Sequence, residues 1–428
     1  MISNTKGAFV WVWLQNHDDP IVCGRLERKN GQLSFNYGQS YLSREDAVPI
    51  YGPELPLKAG KIALLPRMDM PNCIRDGSPD AWGRRVIINQ VTGKKKEGID
   101  LTELNELTYL LQSGSDRIGN LDFQESASVY VPRSPKAATL EELQQSSELV
   151  DKGIPLTKEH DQALTHGSSI GGARPKAGIE TEDKKYIAKF SGSTDTYSVV
   201  KAEYIAMSLA KKVGLDVANV ELTQAQDKDV ILIERFDRQF ERQGQWCRKA
   251  MVSALTIFEM PEQEARYTSY EMFAEKVRHL FTSPRATLHE LYRRIVFNIL
   301  VGNTDDHARN HAAFWDGKQL TLTPAYDICP QGRTGQEASQ AMNIHGDNKL
   351  SQLGNCLAAS STFQLSEEAA KKIIQSQVST IKEYYPKICQ ETNLSKVDQR
   401  FFWGRQFLNP FCFYDLPEPF AQQLTEGL

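Results

Sequence analysis

Three side chains in the last third of the sequence have the types and the order that phosphoryl transfer requires. Asp305 and Asn310 lie five positions apart in the segment N-T-D-D-H-A-R-N, and Asp327 follows downstream. A carboxylate accepts the proton of an attacking hydroxyl, while an amide and a second carboxylate hold Mg²⁺ on the phosphates of ATP. We therefore predict Asp305 as the catalytic base and Asn310 and Asp327 as the ligands of Mg²⁺.

The elements around this loop favour catalysis over the alternative that such side chains merely cap a helix or solvate a turn. The spacing D-x-x-x-x-N is that of protein-kinase catalytic loops. Upstream, an apolar helix face ends at Gly302, which predicts a rigid base for the loop. Downstream, residues 312–315 and 320–323 predict two strands joined at Asp316-Gly317, and this hairpin returns the second carboxylate to the amide.

A second group of residues predicts a nucleotide-binding lobe. Residues 184–190 alternate as a strand that places Lys189 on the face opposite its apolar side chains, like the strand lysine that pairs with ATP phosphates in kinases. Glu203 lies in an amphipathic helix that follows, so we predict an ion pair between Glu203 and Lys189. The buried strand 230–233 leads into 234–238, which predicts either a hinge that meets adenine or a simple strand end.

The glycine-rich segment S-S-I-G-G-A-R-P-K, residues 168–176, combines flexible backbone, hydroxyls and cations, which suits a loop whose amides approach phosphate. Together with A-K-F, E-R-F-D-R, N-T-D-D-H-A-R-N and P-A-Y-D-I, in that order, it resembles the HipA family of bacterial serine/threonine kinase toxins. The resemblance spans residues 163–330. It implies an α+β, protein-kinase-like two-lobed fold, with a β-rich N-terminal subdomain and a mostly helical C-terminal lobe.

The resemblance also implies roles for individual residues. It assigns ATP binding to Gly171, Gly172, Ala173, Arg174, Pro175, Lys176, Lys189, Glu234, Arg235, Phe236, His307, Asn310, Tyr326 and Asp327. A serine of the glycine-rich loop is autophosphorylated in this family, which here implies Ser169 or its neighbour Ser168. The added phosphate would repel the phosphates of ATP, so autophosphorylation would inhibit the kinase.

The family further implies partners and a role in the cell. The expected partners are a protein substrate, such as an aminoacyl-tRNA synthetase, and a helix-turn-helix antitoxin (HipB-like) through which DNA is contacted only indirectly. Phosphorylation of the substrate would inhibit growth. Two alternatives stay open: a small-molecule phosphotransferase of similar fold, and an inactive binding module that only joins a DNA-bound repressor.

Length and composition agree with this interpretation. The 428 residues exceed what one core usually supports, and we predict three parts: a β-rich and helical subdomain at 1–150, a nucleotide-binding part at 151–238, and a helical lobe at 239–428. The net charge of −4 provides no broadly basic surface for nucleic acid. Scattered cysteines without a C-x-x-C pair, and the lack of a long apolar run, predict a cytoplasmic protein that does not enter the membrane.

Overall fold

The computed structural model describes the whole chain except residues 1–5, 16, 18, 95–103, 134–137, 158, 159, 161–163, 165–167, 193, 194, 242–245, 334 and 428. The chain forms two compact units. Unit 1 consists of residues 1–194, 223–252 and 314–318, and unit 2 consists of 195–222, 253–313 and 319–428. The predicted division at 1–150, 151–238 and 239–428 stays a prediction.

Unit 1 begins with an antiparallel sheet. Its strands are β1 (Gly7–Val12), β2 (Ile21–Lys29), β3 (Gln32–Tyr37) and β4 (Leu121–Gln124), in the order β3-β2-β1-β4. The helices between β3 and β4 are α1 (Gln39–Leu42), α2 (Asn72–Arg75), α3 (Ala81–Lys94) and α4 (Glu106–Gln112). Asn30 and Gly31 join β2 to β3 with φ of 52° and 80°, as a type I′ turn requires. The β-rich start and its hairpin are confirmed.

A second sheet of unit 1 carries the predicted strand lysine. Helix α5 (Leu140–Asp151) precedes β5 (Lys176–Glu180), β6 (Lys185–Phe190), β7 (Val220–Ala225) and β8 (Lys228–Glu234), and the sheet has the order β5-β6-β8-β7. One face packs with α3 and α5 in a core that contains Trp82, Leu143, Phe190 and Val230. Each such fully buried side chain stabilises the fold by about 1.5–3 kcal/mol. The short strands β9 (Arg238–Phe240), β10 (Trp246–Arg248) and β11 (Met251–Ser253) follow.

Unit 2 is mostly helical, as predicted for the C-terminal part of the chain. Its helices are α6 (Val199–Lys212), α7 (Ala254–Ile257), α8 (Tyr270–Leu280), α9 (Pro284–Leu300), α10 (Leu353–Ala359), α11 (Glu367–Glu391), α12 (Lys396–Phe402) and α13 (Glu418–Thr425). Strands β12 (Ala312–Trp315) and β13 (Leu320–Leu322) lie where the hairpin was predicted. Along the described residues, no helix combines the length and apolar character needed to cross a membrane.

Helix α9 is the element that carries the predicted catalytic loop. It begins with Pro284 at its first position, where the missing backbone N–H costs nothing. Its side chains Leu288, Leu291 and Ile295 are at most 1% exposed, so the helix is anchored in the core of unit 2. The helix is therefore a rigid support for the residues that follow it.

Candidate active site

The predicted catalytic loop begins at a glycine that no other residue could replace without strain. Gly302 follows α9 with φ of +69°, which is a left-handed conformation that favours glycine. A Cβ at this position would lie 2.6 Å from the carbonyl oxygen of Gln406. The N–H of Asn303 then donates to the carbonyl of Asn298 at 2.9 Å, which fixes the direction in which the loop leaves the helix.

A buried carboxylate that the sequence analysis did not single out anchors this loop. Asp306 is 3% exposed and accepts hydrogen bonds from the Tyr270 hydroxyl, from Asn298 Nδ2 at 2.7 Å and from His311 Nε2 at 3.1 Å. Burial alone would raise the pKa of Asp306, but the charge of His311 and the hydrogen bonds outweigh burial and lower the pKa. Asp306 is therefore ionised and holds the loop against α8 and α9.

Asp305, the predicted base, differs from its buried neighbour Asp306 because it is solvent-exposed. Its backbone carbonyl accepts from the N–H of His307 at 2.8 Å and from Asn310 Nδ2 at 3.0 Å. Partial loss of hydration raises the pKa of the Asp305 carboxyl; His307 opposes this effect, and the charges of Asp327 and Asp306 add to it. A charge effect of Asp327 on Asp305 requires the two carboxylates to be close in space.

Asp327 is held beside the loop by its neighbours. Ala325 forms a parallel bridge with Val217. The Tyr326 hydroxyl donates to the carbonyl of Arg309 at 2.9 Å, which ties the residue before Asp327 to the residue before Asn310. Asp327 itself has φ of 59°, an uncommon conformation that aspartate tolerates better than most residues. Within unit 2 the structure therefore brings together the predicted residues 305, 307, 310, 326 and 327.

Arg294 is a second buried residue that the sequence analysis missed. It is 3% exposed on α9, and its Nη2 donates to the carbonyls of Asp216 and Thr323 at 3.0 and 2.9 Å. Its Nε pairs with Glu290 at 2.9 Å. The segment that leads to Asp327 is thus fixed to the same helix that carries the catalytic loop. An arginine four positions after a glutamate is too common a helix pattern to have indicated this role.

In unit 1, two lysines lie directly opposite each other on neighbouring strands. Lys176 on β5 pairs with Lys189 on β6 in the antiparallel register, and they are 3% and 7% exposed. The Lys176 Nζ donates to the carbonyl of Gly171. Directly opposite residues of neighbouring strands lie on the same face of the sheet, so both lysines are on the face predicted to contact phosphate. Both lysines were predicted to bind ATP, but their position opposite each other was not predicted.

The glycine-rich loop leads into β5 with both candidate serines inside the protein. Ser168 is 1% exposed and its Oγ accepts from the N–H of Gly114 at 3.1 Å. Ser169 is 2% exposed, and its Oγ has no hydrogen-bond partner in the described part of the chain. Gly172 has φ of +107°, a value that only glycine adopts readily. The carbonyl of Pro175 accepts a hydrogen bond from the N–H of Phe190 at 3.0 Å, which joins the end of the loop to β6. The other predicted residues of the loop are Gly171, Ala173 and Arg174.

The predicted hinge residues lie at the end of β8. Glu234 forms an ion pair with Lys184 at 3.1 Å. The N–H of Arg235 donates to the carbonyl of Lys185 at 2.8 Å, and its buried guanidinium pairs with Asp237 at 2.8 Å and with Asp116 at 3.1 Å. The Arg235 side chain is therefore engaged by carboxylates, and a nucleotide contact at this position would use the backbone carbonyl.

The other two predicted residues are placed as follows. Phe236 packs edge-on against Phe314, with ring centroids 5.9 Å apart. Glu203 lies on α6 in unit 2 and is 2% exposed. The predicted ion pair between Glu203 and Lys189 stays a prediction.

The oxygen donors of unit 2 fit a magnesium ion. Mg²⁺ is usually held by one or two carboxylates together with substrate phosphates. Partial burial and the charge of Asp327 both raise the pKa of Asp305, and a divalent cation bound here would offset that negative charge. The Nδ2 of Asn310 donates a hydrogen bond to the backbone carbonyl of Asp305. The amide oxygen of Asn310 is therefore the atom that would bind the metal ion. Among the described residues no group of three or more His, Cys, Asp or Glu side chains is placed to hold a metal ion, so the predicted site depends on Asn310, Asp327 and the phosphates of ATP.

These features define a kinase-like protein: a sheet with paired lysines after a glycine-rich loop, and a helical unit with a D-x-x-x-x-N loop and a second carboxylate. A family model of the HipA-like C-terminal domain matches residues 168–384, and a model of the HipA N-terminal domain matches residues 12–124. The chain belongs to the HipA family of kinase toxins.

Relatives and a solved structure agree with this family. A candidate kinase of Sinorhizobium fredii, Y4mE, is 24% identical over 73% of this chain and 75% of its own length. The serine/threonine-protein kinase toxin HipA of Shewanella oneidensis is 26% identical, over 37% of this chain and 42% of its own length. A chain in the structure of the Shewanella oneidensis HipA, HipB and operator DNA complex superposes with a TM-score of 0.65, covering 98% of this chain and 96% of that chain at 16% identity. The predicted kinase-like α+β fold is confirmed.

Proposed function

We propose that the protein is an ATP-dependent serine/threonine protein kinase of HipA type, which inhibits growth by phosphorylating a cellular protein such as an aminoacyl-tRNA synthetase. The observation that carries the proposal is the hydrogen bond from the Tyr326 hydroxyl to the carbonyl of Arg309, which holds the residue before Asp327 against the residue before Asn310. The opposed lysines of β5 and β6 support it, because their face suits a polyanion.

Each residue has a physical task in this proposal. When bound, ATP with Mg²⁺ supplies the phosphoryl group that is transferred. Asp305 accepts the proton of the attacking serine or threonine hydroxyl, and its raised pKa makes it a stronger base than an ordinary carboxylate. Asn310 and Asp327 hold the metal, and Lys176 and Lys189 neutralise phosphate charge. Glu234 and the backbone of residues 235–236 are proposed to contact adenine, because the Arg235 side chain is paired with carboxylates.

Autophosphorylation at the glycine-rich loop is part of the proposal, with Ser169 favoured over Ser168. The Ser168 hydroxyl is occupied by the N–H of Gly114, whereas the Ser169 hydroxyl has no hydrogen-bond partner in the described residues. Both serines are buried, so the loop must leave its position before either is phosphorylated. A phosphate carries about two negative charges and would prevent the loop from returning beside the nucleotide.

The proposed partner is a HipB-like helix-turn-helix antitoxin. Its support is the solved complex of HipA, HipB and operator DNA, to which a chain of this fold belongs. The net charge of −4 gives no broadly basic surface, so contact with DNA is proposed to pass through the antitoxin. Inspection of the neighbouring genes and co-expression with any helix-turn-helix protein found there, followed by size-exclusion chromatography, test the partner; the lack of such a gene, or elution as two separate species, would contradict it.

The test of the kinase proposal is transfer of the γ-phosphoryl group of ATP to protein. We expect the wild-type protein to label itself on serine, mapped by mass spectrometry to Ser169, and to label a protein of a cell extract. Asp305→Asn should lower the rate by about 10²–10⁴-fold, while Asp347→Asn, an exposed aspartate of the same unit, should leave it unchanged. Labelling of an aminoglycoside but not of protein would favour the small-molecule alternative. Equal growth inhibition by wild type and Asp305→Asn would favour the inactive binding module.

A further inference from the structure

The start of α3 contacts the glycine-rich loop, and both belong to unit 1. Asp80 precedes α3, and its Oδ2 accepts a hydrogen bond from the N–H of Gly172 at 2.8 Å. The carbonyl of the same glycine accepts from the N–H of Trp82 at 3.1 Å. Both backbone polar groups of Gly172, the residue that gives the loop its left-handed bend, are therefore held by the first turn of this helix.

The same turn also holds the end of the loop. The fully buried Trp82 donates its Nε1–H to the carbonyl of Lys176 at 2.9 Å. Arg85 Nη2 donates to the carbonyl of Ala173 at 2.9 Å. Because Lys176 is one of the two opposed lysines of the sheet, the contact with Trp82 also fixes where β5 begins.

The start of the loop is packed closely against the helix. A Cβ at Gly83 would overlap the carbonyl of Ser168. Ser168 and Ser169 are almost completely buried at this point, so the loop has little space into which it could shift. Any side chain at position 83 would therefore push the loop away from α3.

Two explanations of the Asp80 contact predict opposite effects. In the first, the carboxylate occupies the amide of Gly172 in place of a phosphate, and ATP must displace it. In the second, the carboxylate shapes the loop, and nucleotide binds to the loop so shaped. The second is favoured because the three other hydrogen bonds are donated by Trp82 and Arg85 to carbonyl oxygens. A phosphate only accepts hydrogen bonds and could replace none of these three.

We propose that residues 80–85, the α3 brace, position the glycine-rich loop for nucleotide, with Asp80, Gly83 and Arg85 as positioning residues. The brace lies in the part matched by the HipA N-terminal domain, and the loop begins the part matched by the HipA-like C-terminal domain. The brace therefore gives the N-terminal domain a role in nucleotide binding and in release of Ser169. The nucleotide part of this inference rests on the proposed kinase function, but the loop-positioning part does not.

Hydrogen exchange of the full-length protein without nucleotide tests the positioning directly. Asp80→Ala removes a charge-assisted hydrogen bond, so peptides that cover 168–176 should exchange about tenfold faster. Asp80→Asn keeps an acceptor oxygen and should restore most of the protection. Glu141→Ala, which removes an exposed first-turn carboxylate from α5, is the matched control and should change nothing in these peptides. Unchanged exchange in Asp80→Ala overturns the proposal whether or not the protein is a kinase.

The nucleotide part is tested by the steady-state constants for ATP. Asp80→Ala should raise the KM for ATP about tenfold and change kcat by less than about twofold, because the loop must be ordered at each binding event. Autophosphorylation of Ser169 should become faster relative to substrate phosphorylation. A lower KM would overturn the proposal in favour of the first explanation, in which the Asp80 carboxylate occupies the amide of Gly172 in place of a phosphate. An unchanged KM would overturn the nucleotide part. A wild-type protein without transfer activity would instead refute the proposed function and leave the exchange result standing.

Two more variants separate the brace from general destabilisation. The Arg85 side chain is 44% exposed, so Arg85→Met should fold normally and still speed exchange at 173 severalfold. Gly83→Ala inserts the Cβ that would overlap Ser168, although alanine is the better helix former. We expect Gly83→Ala to expose the loop to proteases while α3 keeps its own protection. Normal protease resistance of 168–176 in Gly83→Ala would contradict the close packing on which the brace depends.

Discussion

Removal of the buried Asp306 carboxylate should destabilise unit 2 far more than removal of any exposed aspartate. Asp306→Ala leaves the donors of Tyr270, Asn298 and His311 without their acceptor. Each unsatisfied buried donor costs about 1–3 kcal/mol. Because these costs overlap, we expect the free energy of unfolding to fall by about 4 kcal/mol. Asp306→Asn keeps an acceptor and should lose about half as much.

The assay is urea unfolding followed by circular dichroism, with Asp347→Ala as the exposed control. The pH dependence supplies a second and independent signature. The pKa of Asp306 is lowered in the folded protein, so its contribution to stability is complete above the ordinary carboxyl pKa of about 3.9 and is lost as the pH falls through the folded value. The difference between wild type and Asp306→Asn should therefore shrink below about pH 4. A loss in Asp306→Ala of less than about 1 kcal/mol would refute the anchoring role.

Two further predictions concern the base and the glycine before its loop. The pKa of Asp305 is raised, so the loss of kcat/KM at acidic pH should begin at a higher pH than it would with an ordinary carboxyl as the base. In Asp327→Asn the pH–rate profile of the residual activity should move to lower pH, because a charge that raises the pKa of Asp305 is gone. An acidic limb that does not move would contradict the proximity of the two groups. Gly302→Ala combines a positive φ with a Cβ 2.6 Å from a backbone carbonyl and should lower the free energy of unfolding by about 3 kcal/mol. Gly346→Ala, which has a positive φ but open space around the Cβ, should lower it by about 1 kcal/mol. Urea unfolding of both variants checks this, and equal losses would contradict the close contact at Gly302.

The parts of the fold that depend on neighbouring residues could be predicted from the sequence. The hairpin at Asn30-Gly31 requires positive φ at both positions, and asparagine followed by glycine is the pair that supplies it. The D-x-x-x-x-N loop and the strands at 312–315 and 320–323 follow from local spacing and a turn signal, and these elements lie where expected. Local patterns were sufficient here because each element is defined within about ten residues.

The residues that hold the site in place could not be predicted in this way. Asp306 receives its hydrogen bond from Tyr270, which is 36 residues away, and Asp80 accepts from Gly172, which is 92 residues away. Which residues meet at such separations depends on how helices pack, and side-chain periodicity does not contain that information. Similarly, the alternation of β6 predicted the face of Lys189, but only the register with β5 placed Lys176 opposite it.

The central claim is that Asp305 and Asp327 act in one catalytic centre, and a double-mutant cycle tests it most directly. The measurement is kcat/KM for phosphoryl transfer by wild type, Asp305→Asn, Asp327→Asn and the double variant. Residues that act as a unit have strongly non-additive effects, so the double variant should be no slower than the slower single variant within about threefold. Losses that multiply across the two positions would contradict the claim, because they would show that the two carboxylates act independently.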